Sequence, residues 1–98
     1  MAISERLRQR LAALRETYIE TFGEEAAGLR AEIAEFQSSG GRSALKSRAH
    51  RLAGTAGSYS LEAVFNAASA LERVCDGGGD EVVLSAAEAL RDALEAHQ

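Results

Sequence analysis

The chain has 98 residues, 11 Lys and Arg against 15 Asp and Glu, a net charge of -4 and a pI of about 5.1. It is one domain of ordinary size, 1–98, and its mild acidity argues against nucleic-acid binding. No run approaches the roughly 18 apolar residues of a membrane span, and the charged start Ser4-Glu5-Arg6 does not read as a signal peptide, so a cytoplasmic protein with no membrane insertion is expected. The single cysteine, Cys75, excludes an internal disulfide, and two histidines 47 positions apart fit no zinc spacing, so no metal site is assigned.

Alanine and leucine supply 31 residues, valine, isoleucine and threonine only ten, and proline is absent, which predicts an all-α fold. In chain order, Ile3, Leu7, Leu11, Leu14 and Tyr18 share one helical face, and Phe22, Ala26, Leu29, Ile33 and Phe36 continue a similar stripe. Residues 3–38 therefore read as one bent helix or two consecutive ones, with the capping-box patterns Thr17-x-x-Glu20 and Thr21-x-x-Glu24 compatible with a restart. Ser43 is a candidate N-cap for a helix carrying Leu45, Ala49, Leu52 and Ala56. Ser60 is a candidate cap for the next, which carries Leu61, Val64, Phe65, Ala68, Leu71 and Cys75 and stops at Asp76 and the glycines 77–79. Asp80 starts the last helix, with Val83, Ala86, Ala87, Leu90 and Leu94 on its face. Short connections predict an antiparallel up-and-down four-helix bundle with an additional N-terminal helix or helix extension. Tyr18, Phe22, Phe36 and Phe65 are expected in the core.

On a helical wheel His50 falls roughly 130° from the Leu45/Ala49/Leu52/Ala56 stripe and faces solvent. Lys46, Gly54 and Gly57 lie on its side of the helix. An exposed helical glycine costs about 1 kcal/mol relative to alanine, so two glycines beside one histidine suit close approach by another surface. Between Glu35 and Glu62 there is no acidic residue, whereas Arg42, Lys46, Arg48 and Arg51 are basic. Such a local field favours a dianionic group or an acidic partner near His50. No Ser/His/Asp arrangement and no Walker-type glycine loop accompanies the histidine, so a reaction at His50 takes its machinery from elsewhere.

The string Ala49-His50-Arg51-Leu52-Ala53-Gly54-Thr55-Ala56-Gly57-Ser58-Tyr59 resembles the signature of histidine-containing phosphotransfer (HPt) domains, which commonly read His-x-Leu-Lys-Gly-(Ser/Thr)-Ala. The resemblance implies a phosphorelay protein, not itself an enzyme. His50 would accept a phosphoryl group, through Nε2, from a phospho-aspartate on a response-regulator receiver domain and pass it to another receiver. It further implies no cofactor of its own and Mg²⁺ in the partner receiver, with a hybrid histidine kinase as a further partner. Lys46 and Arg51 are assigned as phosphoryl-supporting, and Arg42, Lys46, Arg48, Arg51, Gly54, Gly57, Ser58 and Tyr59 as docking residues. Two positions depart from the family pattern: Ala53 replaces the usual lysine, and Ser60 stands where a glycine is often found.

A monomer is expected, and the Arg6, Arg8, Arg10 and Arg15 series reads as a solvated face interleaved with the Leu7/Leu11/Leu14 stripe. From another class, a helical docking or oligomerisation module with no phosphoryl acceptance is the alternative, motivated by the stripe running from Ile3 to Phe36.

Overall fold

A computed structural model describes residues 2–97, with side chains from residue 4 onward, and these residues form five helices and no strand. They are α1 (Ala2–Glu20), α2 (Phe22–Ser39), α3 (Ser43–Ser58), α4 (Glu62–Cys75) and α5 (Asp80–Glu95). Thr21 alone separates α1 from α2 and keeps right-handed helical angles, φ -81 and ψ -9, so the pair is one long bent helix. The bend does not use the predicted capping boxes: the Thr21 hydroxyl donates back to the Tyr18 carbonyl at 2.6 Å and caps nothing. Back-bonding of this kind bends helices without ending them.

The bundle is the closed ring α2, α3, α4, α5, in which each helix packs on the next and α5 returns to α2. Its core comes from the 4,3,4 spacings legible in the chain. Phe22, Leu29, Leu45, Leu52, Val64, Leu71, Val83, Leu90 and Leu94 are fully buried. Ala26, Ala49, Ala56, Ala68 and Ala87 lie between them and let the helix axes close. Ile3, the first residue of the predicted stripe, lies outside the described side chains.

One core assignment fails: Phe65 is 40% exposed. The Leu7, Leu11 and Leu14 stripe is 55, 48 and 46% exposed, because most of α1 extends beyond the ring and meets no second helix on that face. The caps also differ from expectation. Arg42, not Ser43, flanks α3, and Leu61, not Ser60, flanks α4. Ser60 instead holds φ 56, a left-handed angle that favours glycine, in the turn between α3 and α4. At the end of α2, Gly40 takes φ 79 and its N–H donates to the Phe36 carbonyl at 2.7 Å, so the turn into α3 needs no further capping group.

Candidate functional site

α3 divides its charged residues between two neighbours. Toward α2 it presents Arg48 and Arg51. Arg48 is largely buried and binds Glu32 through Nε at 2.6 Å and Nη2 at 2.9 Å, with Nη1 on Glu25. Arg51 meets both oxygens of Glu25, at 2.6 and 2.9 Å. The Arg51 hydrogen bond holds the Glu25 carboxyl below the usual range, and Glu32 and Glu25 raise Arg48 and Arg51 respectively. Gly28 makes this possible, since a Cβ there would lie 2.3 Å from Arg48 Nη2.

Toward α4 the helix presents a ladder with one rung per turn. Lys46 Nζ lies 2.6 Å from Asp76 Oδ1, and His50 Nδ1 lies 2.6 Å from Glu72 Oε2. Below them a Cβ on Gly54 would meet nothing within 4 Å, whereas one on Gly57 would meet the Phe65 ring at 3.2 Å. The imidazole stays 77% exposed, although its Nδ1 edge is held against Glu72. When Nδ1 carries the ring proton toward that carboxylate, Nε2 keeps its lone pair on the solvent side. The Asp76 hydrogen bond raises the Lys46 ammonium, which stays charged one turn from His50.

The basic strip expected around His50 is thus largely paired. Arg42 serves the fold: its guanidinium donates to the Cys75 and Val74 carbonyls at 3.4 and 3.5 Å and pairs with Asp80 at 2.8 Å. It also lies over the Phe36 ring at 5.8 Å and so satisfies carbonyls left free at the end of α4. Arg48 is turned to the opposite side of α3 from His50. Tyr59 is half-buried, its ring 5.6 Å from that of Tyr18, and its carbonyl accepts from Arg15 at 3.3 Å. Ser58 is exposed and donates to the Gly54 carbonyl at 3.2 Å. Of the residues named from sequence, Lys46, His50, Gly54, Gly57 and Ser58 share the open side.

Neither Glu72 nor Asp76 is singled out as a site residue from sequence, where Asp76 figures only as a helix stop. The signal was present, because an antiparallel hairpin turning near residues 59–61 sets 46 against 76, 50 against 72 and 57 against 65. Burial raises the Cys75 thiol, as expected of a small packing residue, and the His97 ring lies 5.5 Å from Phe22. Among the described residues no cluster of three or more His, Cys, Asp and Glu side chains could hold a metal ion, and no helix is long and apolar enough to cross a membrane.

No curated protein and no solved structure matches the chain. The family model of the Hpt domain matches residues 13–98, which takes in the end of α1, the whole ring and the His50 ladder. Four helices closing into one ring, the first of them extended by α1, with the motif histidine on its exterior, fit that match, and the chain belongs to the Hpt domain family of phosphorelay proteins.

Proposed function

We propose that this protein is a phosphoryl carrier and that His50 is its acceptor. The observation that carries the reading is the His50 rung: an exposed imidazole with Nδ1 against Glu72, and open space at Gly54 one turn on. In the transfer, the Nε2 lone pair attacks the phosphorus of a receiver's aspartyl phosphate. The Nε2–P bond forms, the P–O bond to the aspartate breaks, and the carboxylate leaves with the bonding pair. The ring gains positive charge, which the Glu72 carboxylate faces. The reverse sequence hands the group to a second receiver.

Lys46 supports the phosphoryl oxygens when it swings from Asp76, while Arg51, held by Glu25, acts less directly. Glu72 is a positioning residue that fixes the tautomer and the ring plane. Mg²⁺ and the other catalytic groups are the receiver's, since phosphoryl transfer needs mainly in-line placement and charge stabilisation. Gly54 leaves room for the receiver's surface, Gly57 gives its space to the Phe65 ring, and Lys46 and Ser58 line the edge.

The test is transfer of labelled phosphate from a panel of phosphorylated receiver domains to wild type and to His50→Gln. Acid-labile, alkali-stable label on the wild type alone is expected. Label on His50→Gln, or none on a folded wild type from any receiver, would overturn the assignment.

A further inference from the structure

The apolar stripe of α1 is not packed into the ring, and only its lower end, at Leu11, borders the motif turn, in a groove shared with Arg15, Ser58, Tyr59 and Ser60. Leu7, Leu11 and Leu14 are each about half exposed, spaced 4 and 3, and Leu7 and Leu11 precede the residues the Hpt family shares. On the wheel they span only about 60°, one residue wide, which is the seam of a coiled coil. With Leu7 and Leu14 at d and Leu11 at a, Arg8 and Arg15 take e and Arg10 takes g. Both edges of the seam are therefore basic, and Glu5, Gln9 and Glu16 fall at the back. Among the described residues no ion pair engages Arg8 or Arg10.

This pattern excludes two occupants on physical grounds. A parallel second copy would set Arg10 against the partner's Arg15, and an antiparallel copy would set Arg8 against it, so like charges meet in either orientation. Membrane-surface helices carry a broad apolar face with aromatic side chains, whereas this seam is narrow and residues 4–17 contain no aromatic.

We infer that the exposed face of α1 is a docking seam for an amphipathic helix of another protein, with apolar residues at a and d and Glu or Asp at the flanking positions. The Leu7/Leu11/Leu14 row supplies burial, and Arg8, Arg10 and Arg15 supply the sign of charge that selects the partner. Arg15 is partly committed already through its bond to the Tyr59 carbonyl, which ties the seam's lower end to the ring. The inference stands independently of phosphoryl transfer.

The probe is a synthetic three-heptad peptide with Leu at a and d and Glu at e and g, beside the same peptide with Lys at e and g. Labelled peptide is titrated with the full-length protein and followed by anisotropy. The acidic peptide is expected to bind, more weakly as salt rises, and the basic one is not. Leu11→Ser, exposed and therefore foldable, weakens binding by about tenfold or more. Arg8→Glu/Arg10→Glu reverses the preference toward the Lys peptide, and helicity and melting of each variant are checked by circular dichroism. No binding of the acidic peptide, equal binding of both, binding indifferent to Leu11→Ser, self-association in sedimentation, or capture by phosphatidylserine vesicles in place of the peptide would each overturn the inference.

Discussion

Glu72 acts on His50 through a single atom. A hydrogen bond to a charged group is worth about 1.5–3 kcal/mol, so Glu72→Gln should slow transfer roughly 10- to 100-fold while leaving the fold intact. A purely structural role would leave the ring's tautomer unchanged. Nitrogen-15 NMR of the imidazole separates the two cases, with the Nδ1–H form expected to dominate in wild type and to lose ground in the variant. Gly54 gives the complementary test. Because nothing lies near its missing Cβ, Gly54→Ala should stabilise the protein by about 1 kcal/mol, whereas Gly54→Leu should keep the fold and suppress transfer from every receiver. Thermal melts and the labelling assay read these two outcomes separately. Ser60 holds a left-handed angle without being glycine, and Ser60→Gly should gain about 1 kcal/mol in the same melts.

The α2/α3 face predicts how the protein responds to acid. Glu25 is held below its ordinary 4.5 by the Arg51 hydrogen bond and by the charge of Arg48. A depressed carboxyl stabilises the fold fully above its unfolded value and loses that contribution as pH falls through its folded one. The melting temperature should therefore stay level above about pH 5 and drop below it, with a shallower drop in Glu25→Gln. Gly28→Ala should disturb the same network, since a Cβ at 2.3 Å from Arg48 Nη2 forces the guanidinium off Glu32.

The limits of the sequence reading also lie at the scale of the element. The stripes on α2 to α5 were legible because burial follows the helical period. A charge count along α3 cannot see Glu25 and Glu32 arriving from α2, and Glu72 and Asp76 emerge only when the register of the α3/α4 hairpin is followed. Ser43 and Ser60 are cap candidates by residue type, yet Arg42 and Leu61 take those positions, because hydroxyl side chains also suit turns and back-bonding to a preceding carbonyl. The stripe of α1 was seen, but period alone does not say whether an apolar face meets its own chain. The exposure of His50, by contrast, is legible in the sequence, since its place on the helical wheel and its glycine neighbours are local.

At the scale of the whole molecule, α1 makes an elongated particle of 53 × 22 × 18 Å with a radius of gyration of 14.9 Å. A compact chain of this length would have about 13 Å. Small-angle scattering should return the larger value, and limited trypsin digestion should cut first at Arg6, Arg8 and Arg10, leaving the ring. A near-compact scattering profile would mean that α1 folds back onto the bundle.

The contact of Tyr18 with Tyr59 has a practical consequence. The chain has no tryptophan and only these two tyrosines, with ring centroids 5.6 Å apart where the bent helix meets the end of α3. Tyrosine fluorescence and near-ultraviolet dichroism of the unmodified protein thus report on one locus, between the motif turn and the root of the projecting helix. A helix bound along α1 or a receiver seated over His50 would each be read at that locus, where Leu11 and Arg15 line one groove with Ser58, Tyr59 and Ser60. The protein carries, without any label, an optical reporter of whether occupancy at one end is felt at the other.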